Sequence, residues 1–122
     1  IIGSKPDTKA RMPPAPTNDV LRGTLDLLIL RVLARASDHG WGIGQQIEQL
    51  SRDALQIGQG SLYPALQRLE LKGWIDSEWR TTDQNRRARY YELTASGRKA
   101  LAAETASWRR YVSAVDLILG TS

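Results

Sequence analysis

The sequence predicts a mainly α-helical fold of the α+β class, in which short helices and a β-hairpin precede one long C-terminal helix. Three observations predict it. Apolar residues recur at helical spacing in three stretches between Leu25 and Leu69. After Gly73 the apolar period changes from helical to two, which is typical of strands. From Thr94 to Gly120 a helical stripe returns and continues without a break.

Length and composition limit the classes of function. The 122 residues suit a single domain with a modest core. The chain has no cysteine and one histidine, His39, so we expect no metal site and no cofactor. The longest apolar run, Leu27 to Leu30, is far shorter than the roughly 20 residues that span a bilayer. With no signal-peptide pattern at Ile1-Ile2-Gly3, we expect a cytoplasmic protein that does not enter the membrane.

The chain divides into an arm, a domain and a last helix. Residues 1–19 hold four of the five prolines and no apolar period, so they are predicted to be a flexible arm or a cloning remnant. Residues 20–93 form the predicted domain, and 94–120 form the last helix.

The first helix is predicted to begin near Leu21, with Thr24 as its N-cap. Its inward stripe consists of Leu25, Leu28, Ile29, Val32 and Leu33. Leu27, Leu30 and Ala34 form a second apolar face. A helix that is apolar on two sides usually packs on two sides, here on its own domain and on a partner subunit.

A turn at 37–42 leads to a second helix that begins at Ile43. Leu55 and Ile57 predict a short strand before Gly58 and Gly60 break the chain. The third helix is predicted to begin at Ser61, with Pro64 in its first turn and Gly73 at its C-terminal end. Its outward side chains are Ser61, Tyr63, Gln67 and Arg68.

Strands at 74–81 and 87–93 enclose the turn 82–85, whose Gln84 and Asn85 serve turn geometry. Between Arg80 and Lys99 there are six basic and two acidic residues. The net charge of this stretch is therefore +4, equal to that of the whole chain. Thr94 caps the last helix, whose apolar stripe consists of Leu101, Trp108, Val112, Val115 and Leu119. Because so small a core cannot cover this helix, we expect the stripe, with Leu27 and Leu30, to form a dimer interface. This order of elements predicts a winged helix-turn-helix with a long C-terminal dimerisation helix.

Several blocks of residues follow one another in a specific order and spacing. They are Leu21-Arg22-Gly23-Thr24-Leu25, His39-Gly40-Trp41-Gly42-Ile43, Gly60-Ser61-Leu62-Tyr63-Pro64-Ala65-Leu66, Arg68-Leu69-Glu70, Gly73-Trp74-Ile75, Arg89-Tyr90-Tyr91 and Leu93-Thr94, with Gly97 soon after. Together these blocks resemble the PadR family of bacterial transcriptional regulators. The resemblance covers about residues 20–120 and implies a homodimer that represses genes from operator DNA, often released by a small molecule. It also implies that 60–69 is the recognition helix, that the hairpin is the wing, and that the last helix interlocks with the partner's first helix.

On this interpretation seven residues contact double-stranded operator DNA: Ser61, Tyr63, Gln67 and Arg68 on the recognition helix, and Arg86, Arg87 and Arg89 on the wing. For Tyr63, packing beneath the wing is the alternative, and for the wing arginines a solvated turn. We expect Arg87→Ala to weaken binding to all duplexes alike and Gln67→Ala to change the preference among sequences. Two-fold symmetry implies a pseudo-palindromic site with half-sites roughly 10 bp apart.

Trp108 has two interpretations, plain interface packing or a flat surface on which a small aromatic or apolar effector stacks. Trp41, Trp74 and Trp79 are expected in core or hairpin packing, and His39 as an ordinary polar residue of a turn. An enzyme is disfavoured because no nucleophile lies beside a base and no Gly-Lys-Ser/Thr loop binds phosphate. A winged helix that binds proteins instead of DNA is the main alternative, and the basic wing argues against it.

Overall fold

The computed structural model describes residues 18–120, with side chains from residue 23 onward. The predicted arm at 1–19 lies outside these residues, apart from the backbone of 18 and 19. The helices are α1 (Asn18–Arg35), α2 (Gly40–Leu50), α3 (Gln59–Leu71) and α4 (Ala95–Leu119), and the strands are β1 (Asp38–His39), β2 (Ile75–Thr81) and β3 (Arg87–Leu93). Within the described part, four helices and a three-stranded antiparallel sheet confirm the predicted winged helix-turn-helix.

The sheet has the strand order β1-β3-β2. β2 and β3 form the hairpin, with Ile75 opposite Leu93 and Thr81 opposite Arg87. β1 pairs with β3 through Asp38 and His39, in the segment predicted as a plain turn. The prediction of a strand around Leu55 and Ile57 is wrong, because residues 51–58 form a turn followed by irregular chain. β1 was not predicted because a strand of two residues has no apolar period of its own, and only its pairing with β3 defines it.

Three helices begin earlier than predicted. α1 begins at Asn18, so Thr24 lies inside the helix and is not its N-cap. α2 begins at Gly40 because His39 caps it: the imidazole Nδ1 accepts a hydrogen bond from the Gly42 N–H at 3.0 Å. α3 begins at Gln59, so Pro64 lies beyond the first turn and the N–H that it lacks is the one that would bond the carbonyl of residue 60.

The core lies between α1, α2, α3 and the base of the hairpin. α1 contributes the largest share of it, namely Leu25, Ile29, Leu30, Val32 and Leu33. Leu30 is 0% exposed, so the expectation that it belongs to a dimer interface is wrong. Leu27 is half-buried and remains on the outer side of α1. The inward and outward apolar faces of α1 are offset from each other by about one residue position. The sequence period alone does not resolve so small a rotation of the helix.

Two chain reversals hold the hairpin against the helices. Gly73, with φ +78°, ends α3, while the Trp74 N–H bonds the Leu69 carbonyl and the Gly73 N–H bonds the Glu70 carbonyl. This confirms the predicted role of Gly73. Thr94 caps α4 as predicted, since its hydroxyl accepts a bond from the Gly97 N–H at 3.0 Å. Gly97 is the one fully buried residue among those of α4.

Among residues 18–120, no helix is both long enough and apolar enough to cross a membrane.

Candidate nucleic-acid interface

The outer face of α3 presents polar side chains, of which Tyr63 lines a groove together with the wing. Gln67 and Tyr63 are exposed and Ser61 is half-buried. The Tyr63 ring also covers the start of α2, because a Cβ on Gly40 would lie 2.7 Å from its hydroxyl oxygen. One side of the Tyr63 ring therefore packs against the start of α2, and the other side remains open to solvent. Gln59, exposed at the first position of α3, is an additional candidate that the later predicted start of the helix had left out.

The turn of the wing has a defined geometry. The Thr82 carbonyl accepts a bond from the Asn85 N–H at 2.9 Å, and the Thr82 N–H bonds the Arg86 carbonyl at 2.6 Å. Asn85 has φ 61°, a left-handed conformation that asparagine tolerates better than most residues. The turn chemistry predicted for Asn85 is confirmed. The turn directs two successive arginines, Arg86 and Arg87, into solvent at the tip of the wing.

The arginines of the wing differ in their partners. Arg86 and Arg87 are exposed, and neither guanidinium forms an ion pair or hydrogen bond with another residue of the described chain. Arg87 lies over the Trp79 ring, 5.3 Å from its centroid. A guanidinium on an aromatic face keeps its charge and its donors available. Among the arginines of the wing, these two side chains are free to meet an anion.

Arg89 is held by acidic and hydroxyl groups. Its Nε donates to the Ser77 hydroxyl at 2.8 Å, and a terminal nitrogen lies 3.3 Å from the Glu70 carboxylate. The Ser77 hydroxyl donates in turn to Glu70 at 2.7 Å. This closed set of three side chains connects the wing with α3. The predicted DNA contact of Arg89 therefore competes with an existing ion pair.

Arg80 is held in a similar way on the other side of the hairpin. It pairs with Glu78 and Glu92, donates to the Ser37 hydroxyl, and lies over the Tyr90 ring. Two neighbouring carboxylates therefore balance its charge at the protein surface. The excess of basic residues in the 80–99 window is thus smaller at the surface than their number suggests.

The sequence analysis placed Arg68 among the outward side chains of α3, but the structure gives it an acidic partner. One of its terminal nitrogens lies 2.8 Å from Oδ1 of Asp26 on α1, and both side chains are mostly buried. The two residues are 42 positions apart in the chain, so no local pattern signals the pair. Its predicted contact with a guanine or a phosphate would require the ion pair to break.

An open groove of about 740 Å³ lies between the wing and the start of α2. Tyr63 of α3 and the free arginines Arg86 and Arg87 line the same groove, which places predicted residues of both elements on one surface. Trp41, which was expected to be packed, lines the edge of this groove and is 59% exposed. Trp79 lines the wall of the same groove. The sequence feature that could have indicated Trp79 as a groove residue is its alternation with arginines on the hairpin. For Trp41, that feature is its position in the first turn of α2.

A second surface lies between α1 and α4, around Trp108. The indole is 41% exposed, and its centroid lies 6.2 Å from that of the Tyr111 ring. Grooves of about 280 and 650 Å³ flank Trp108, and Leu27 lines both. The exposed Tyr111 was not predicted, although its spacing of three residues from Trp108 places both on one side of the helix.

The remaining residues predicted for the dimer interface are distributed along α4. Leu101, Val112 and Val115 are half-buried, and Leu119 is 71% exposed. Leu101 packs against the edge of the core. At 1.5 Å per residue the 25 residues of α4 extend for about 37 Å, well beyond what α1 covers. Much of its apolar stripe has no cover within the described chain.

The ionisable groups around the groove offer no catalytic arrangement. Burial raises the pKa of the Tyr91 phenol above its usual range; nearby Arg89 opposes this effect, and Glu70 adds to it. No group of three or more His, Cys, Asp or Glu that could hold a metal occurs in the part of the chain that the structure describes.

Comparisons with a family model, a curated relative and solved structures all point to one family of transcriptional regulators. The model of the transcriptional regulator PadR-like family matches residues 29–103. Transcriptional regulator Rv3488 of Mycobacterium tuberculosis is 37% identical over 75 residues, covering 62% of this chain and 69% of that protein. A transcriptional regulator from Clostridium thermocellum superposes with a TM-score of 0.73 at 27% identity, over 84% of this chain and 96% of the other. A PadR family transcription regulator from Clostridium difficile gives 0.68 at 28%, over 78% and 97%.

The family match covers more than half of the chain, and it extends from the middle of α1 to the first part of α4. It therefore includes both the helix-turn-helix and the wing. Members of this family regulate transcription and are not enzymes, in agreement with the sequence prediction. The chain belongs to the PadR-like family of transcriptional regulators.

Proposed function

We propose that this regulator binds double-stranded operator DNA as a homodimer and represses transcription from it. The observation that carries the proposal is the shared groove, in which Tyr63 of α3 and the unpaired Arg86 and Arg87 line one surface. α3 enters the major groove, where Gln67, Ser61 and Tyr63 meet base edges and nearby phosphates. The wing tip lies along the adjacent backbone, where the negative potential of a narrow minor groove attracts arginine.

The proposed homodimer is supported by α4. Its apolar stripe of Trp108, Val112, Val115 and Leu119 extends past the cover that α1 provides, and Leu27 lies beside it. Long apolar stripes of this kind are stable in water when a second helix covers them. A two-fold dimer would present two α3 helices to half-sites roughly 10 bp apart.

We further propose that a planar apolar or aromatic effector binds against Trp108 and releases the DNA. The support is the partly open indole with a groove on each side. An aromatic face that is not fully covered offers stacking worth roughly 0.5–1.5 kcal/mol beyond simple burial. Interface packing of Trp108 remains the alternative. Because Trp41 and Trp79 are exposed as well, quenching by planar aromatics that occurs in the wild-type dimer and is lost in Trp108→Phe would separate the two.

The test of DNA binding is the affinity of the purified protein for its own promoter fragment and for a random duplex, at two or more salt concentrations. We expect tight binding to the promoter, weaker binding to the random duplex, and a linear fall of log K with log salt of about 0.9 per phosphate neutralised. Weak binding to both duplexes with little salt dependence would contradict the proposal. That result would favour a winged helix that binds other proteins.

A further inference from the structure

We propose that Arg68 is a positioning residue that holds the recognition helix α3 on α1 through Asp26, and does not itself contact DNA. The inference rests on the proposed DNA binding and adds to it. It assigns to Asp26, an acidic residue with no evident place in a DNA-binding surface, a role in keeping α3 at the angle that binding requires. It also connects the DNA-binding face with the surface around Trp108.

The geometry of the pair supports this role. The guanidinium nitrogen of Arg68 lies 2.8 Å from Oδ1 of Asp26, and the side chains are 30% and 16% exposed. A partly desolvated pair of this kind costs free energy when one partner is removed, because the other charge is left behind without compensation. The pair therefore resists separation of the two helices more than a solvated surface pair would.

The neighbours of each residue show what the pair connects. Gln67, next to Arg68, is exposed on the outer face of α3, whereas Leu69 on the other side is fully buried. Leu27, next to Asp26, lines both grooves beside Trp108, while Leu25 lies in the core. A displacement of α1 at the Trp108 surface would thus be passed to α3 through a direct contact between two half-buried side chains.

The competing assignment makes an opposite prediction for Asp26. If Arg68 contacted phosphate, loss of the nearby Asp26 carboxylate would free it and would lower the repulsion of DNA, so binding would tighten. If the pair positions α3, the same substitution weakens binding although it removes a negative charge. The sign of the change in affinity therefore distinguishes the two roles.

The experiment measures promoter and random-duplex affinity against salt for wild type, Asp26→Asn, Arg68→Gln and the double variant. We expect each single variant to bind the promoter roughly three- to tenfold more weakly with an unchanged salt slope. The double variant should be no weaker than either single one, because both remove the same contact. Asp76→Asn, an exposed acid without a partner in the described chain, is the matched control and should bind at least as tightly as wild type.

A charge exchange keeps the test valid if a single variant folds poorly. Asp26→Arg combined with Arg68→Asp should recover promoter affinity, whereas an aspartate at a phosphate-contacting position would weaken it further. Thermal unfolding of each variant verifies that it is folded. A salt slope that falls by about 0.9 in Arg68→Gln, or tighter binding by Asp26→Asn, would overturn the inference alone. Absence of salt-dependent binding in the wild type would overturn the proposed function and this inference with it.

Discussion

At the scale of single residues, the partner of each arginine decides what it can do. Arg87 has its charge free above the Trp79 ring, while Arg80 on the same hairpin is held by Glu78 and Glu92. We expect Arg87→Ala to weaken binding to promoter and random duplexes alike and to reduce the salt slope by about 0.9. Arg80→Ala is the matched control, and its slope should stay close to that of wild type. Unchanged affinity of Arg87→Ala at low salt would remove Arg87 from the DNA surface.

Tyr91 makes the stability of the fold sensitive to alkaline pH. Its phenol is buried, so its folded-state pKa lies above the value of about 10 for an exposed tyrosine. The unfolded chain therefore loses this proton first, and stability that is complete below pH ~10 falls as the pH rises through the higher, folded-state pKa. No hydrogen bond of the Tyr91 hydroxyl occurs within the described chain, so Tyr91→Phe removes little else.

We expect the denaturant midpoint of the wild type to fall more between pH 8 and pH 11 than that of Tyr91→Phe. The two proteins differ only at position 91, so the difference between their pH dependences reports the effect of the Tyr91 phenol. Parallel pH dependence in the two proteins would show that the phenol is solvated in the folded state.

Residue types and local spacing predicted the free residues of the site better than the paired ones. Arg86 and Arg87 follow the turn, so their exposure comes directly from hairpin geometry. Arg68 and Arg89 were assigned to DNA as well, but Asp26 and Glu70 hold them. These acids are 42 and 19 positions away in sequence, and only the packing of α3 against α1 and the hairpin brings each pair together. Charge counted along the chain does not contain that information.

At the scale of elements, the start of α4 depends on the absence of a side chain at Gly97. A Cβ there would overlap the Trp74 carbonyl oxygen and contact the Leu93 side chain at 2.7 Å. The same carbonyl accepts the Thr94 N–H at 3.1 Å, so it cannot move without loss of that bond. We expect Gly97→Ala to lower the free energy of unfolding by about 1–3 kcal/mol.

Chemical denaturation measures this change, and Gly60→Ala is the control. A Cβ at position 60 meets no atom within 4 Å, so the added methyl should be neutral or should stabilise α3 by up to about 1 kcal/mol. Equal stability of Gly97→Ala and wild type would mean that α4 shifts freely away from the hairpin.

The elements themselves were largely predictable because their apolar stripes are long and regular. The hairpin, α4 and the Gly73 end of α3 agree with the sequence prediction. The starts of α1, α2 and α3 were not predictable, since polar or glycine residues precede each stripe. His39 illustrates the reason: an imidazole acceptor replaces the usual Ser, Thr, Asp or Asn as the N-cap of α2.

At the scale of the whole molecule, the proposed homodimer depends on α4, which would join the two proposed DNA-binding faces. Val115 is half-buried on the apolar stripe, and Ala106 is exposed on the opposite side of the helix. We expect Val115→Asp to shift the dimer toward monomer, because a carboxylate buried between two helices would have no partner. Ala106→Asp adds the same charge outside the stripe and should leave the dimer intact.

Sedimentation and DNA binding of the two variants, measured at the same protein concentration, test this arrangement. A monomer engages one half-site at a time and loses the effective concentration that the second provides, so we expect promoter affinity to fall roughly a hundredfold in Val115→Asp. Binding to a single half-site should change little, since Val115 does not line the groove that Tyr63 and Arg87 share. A monomeric Val115→Asp with wild-type promoter affinity would mean that one chain recognises the whole operator, and the two-fold arrangement would have to be abandoned.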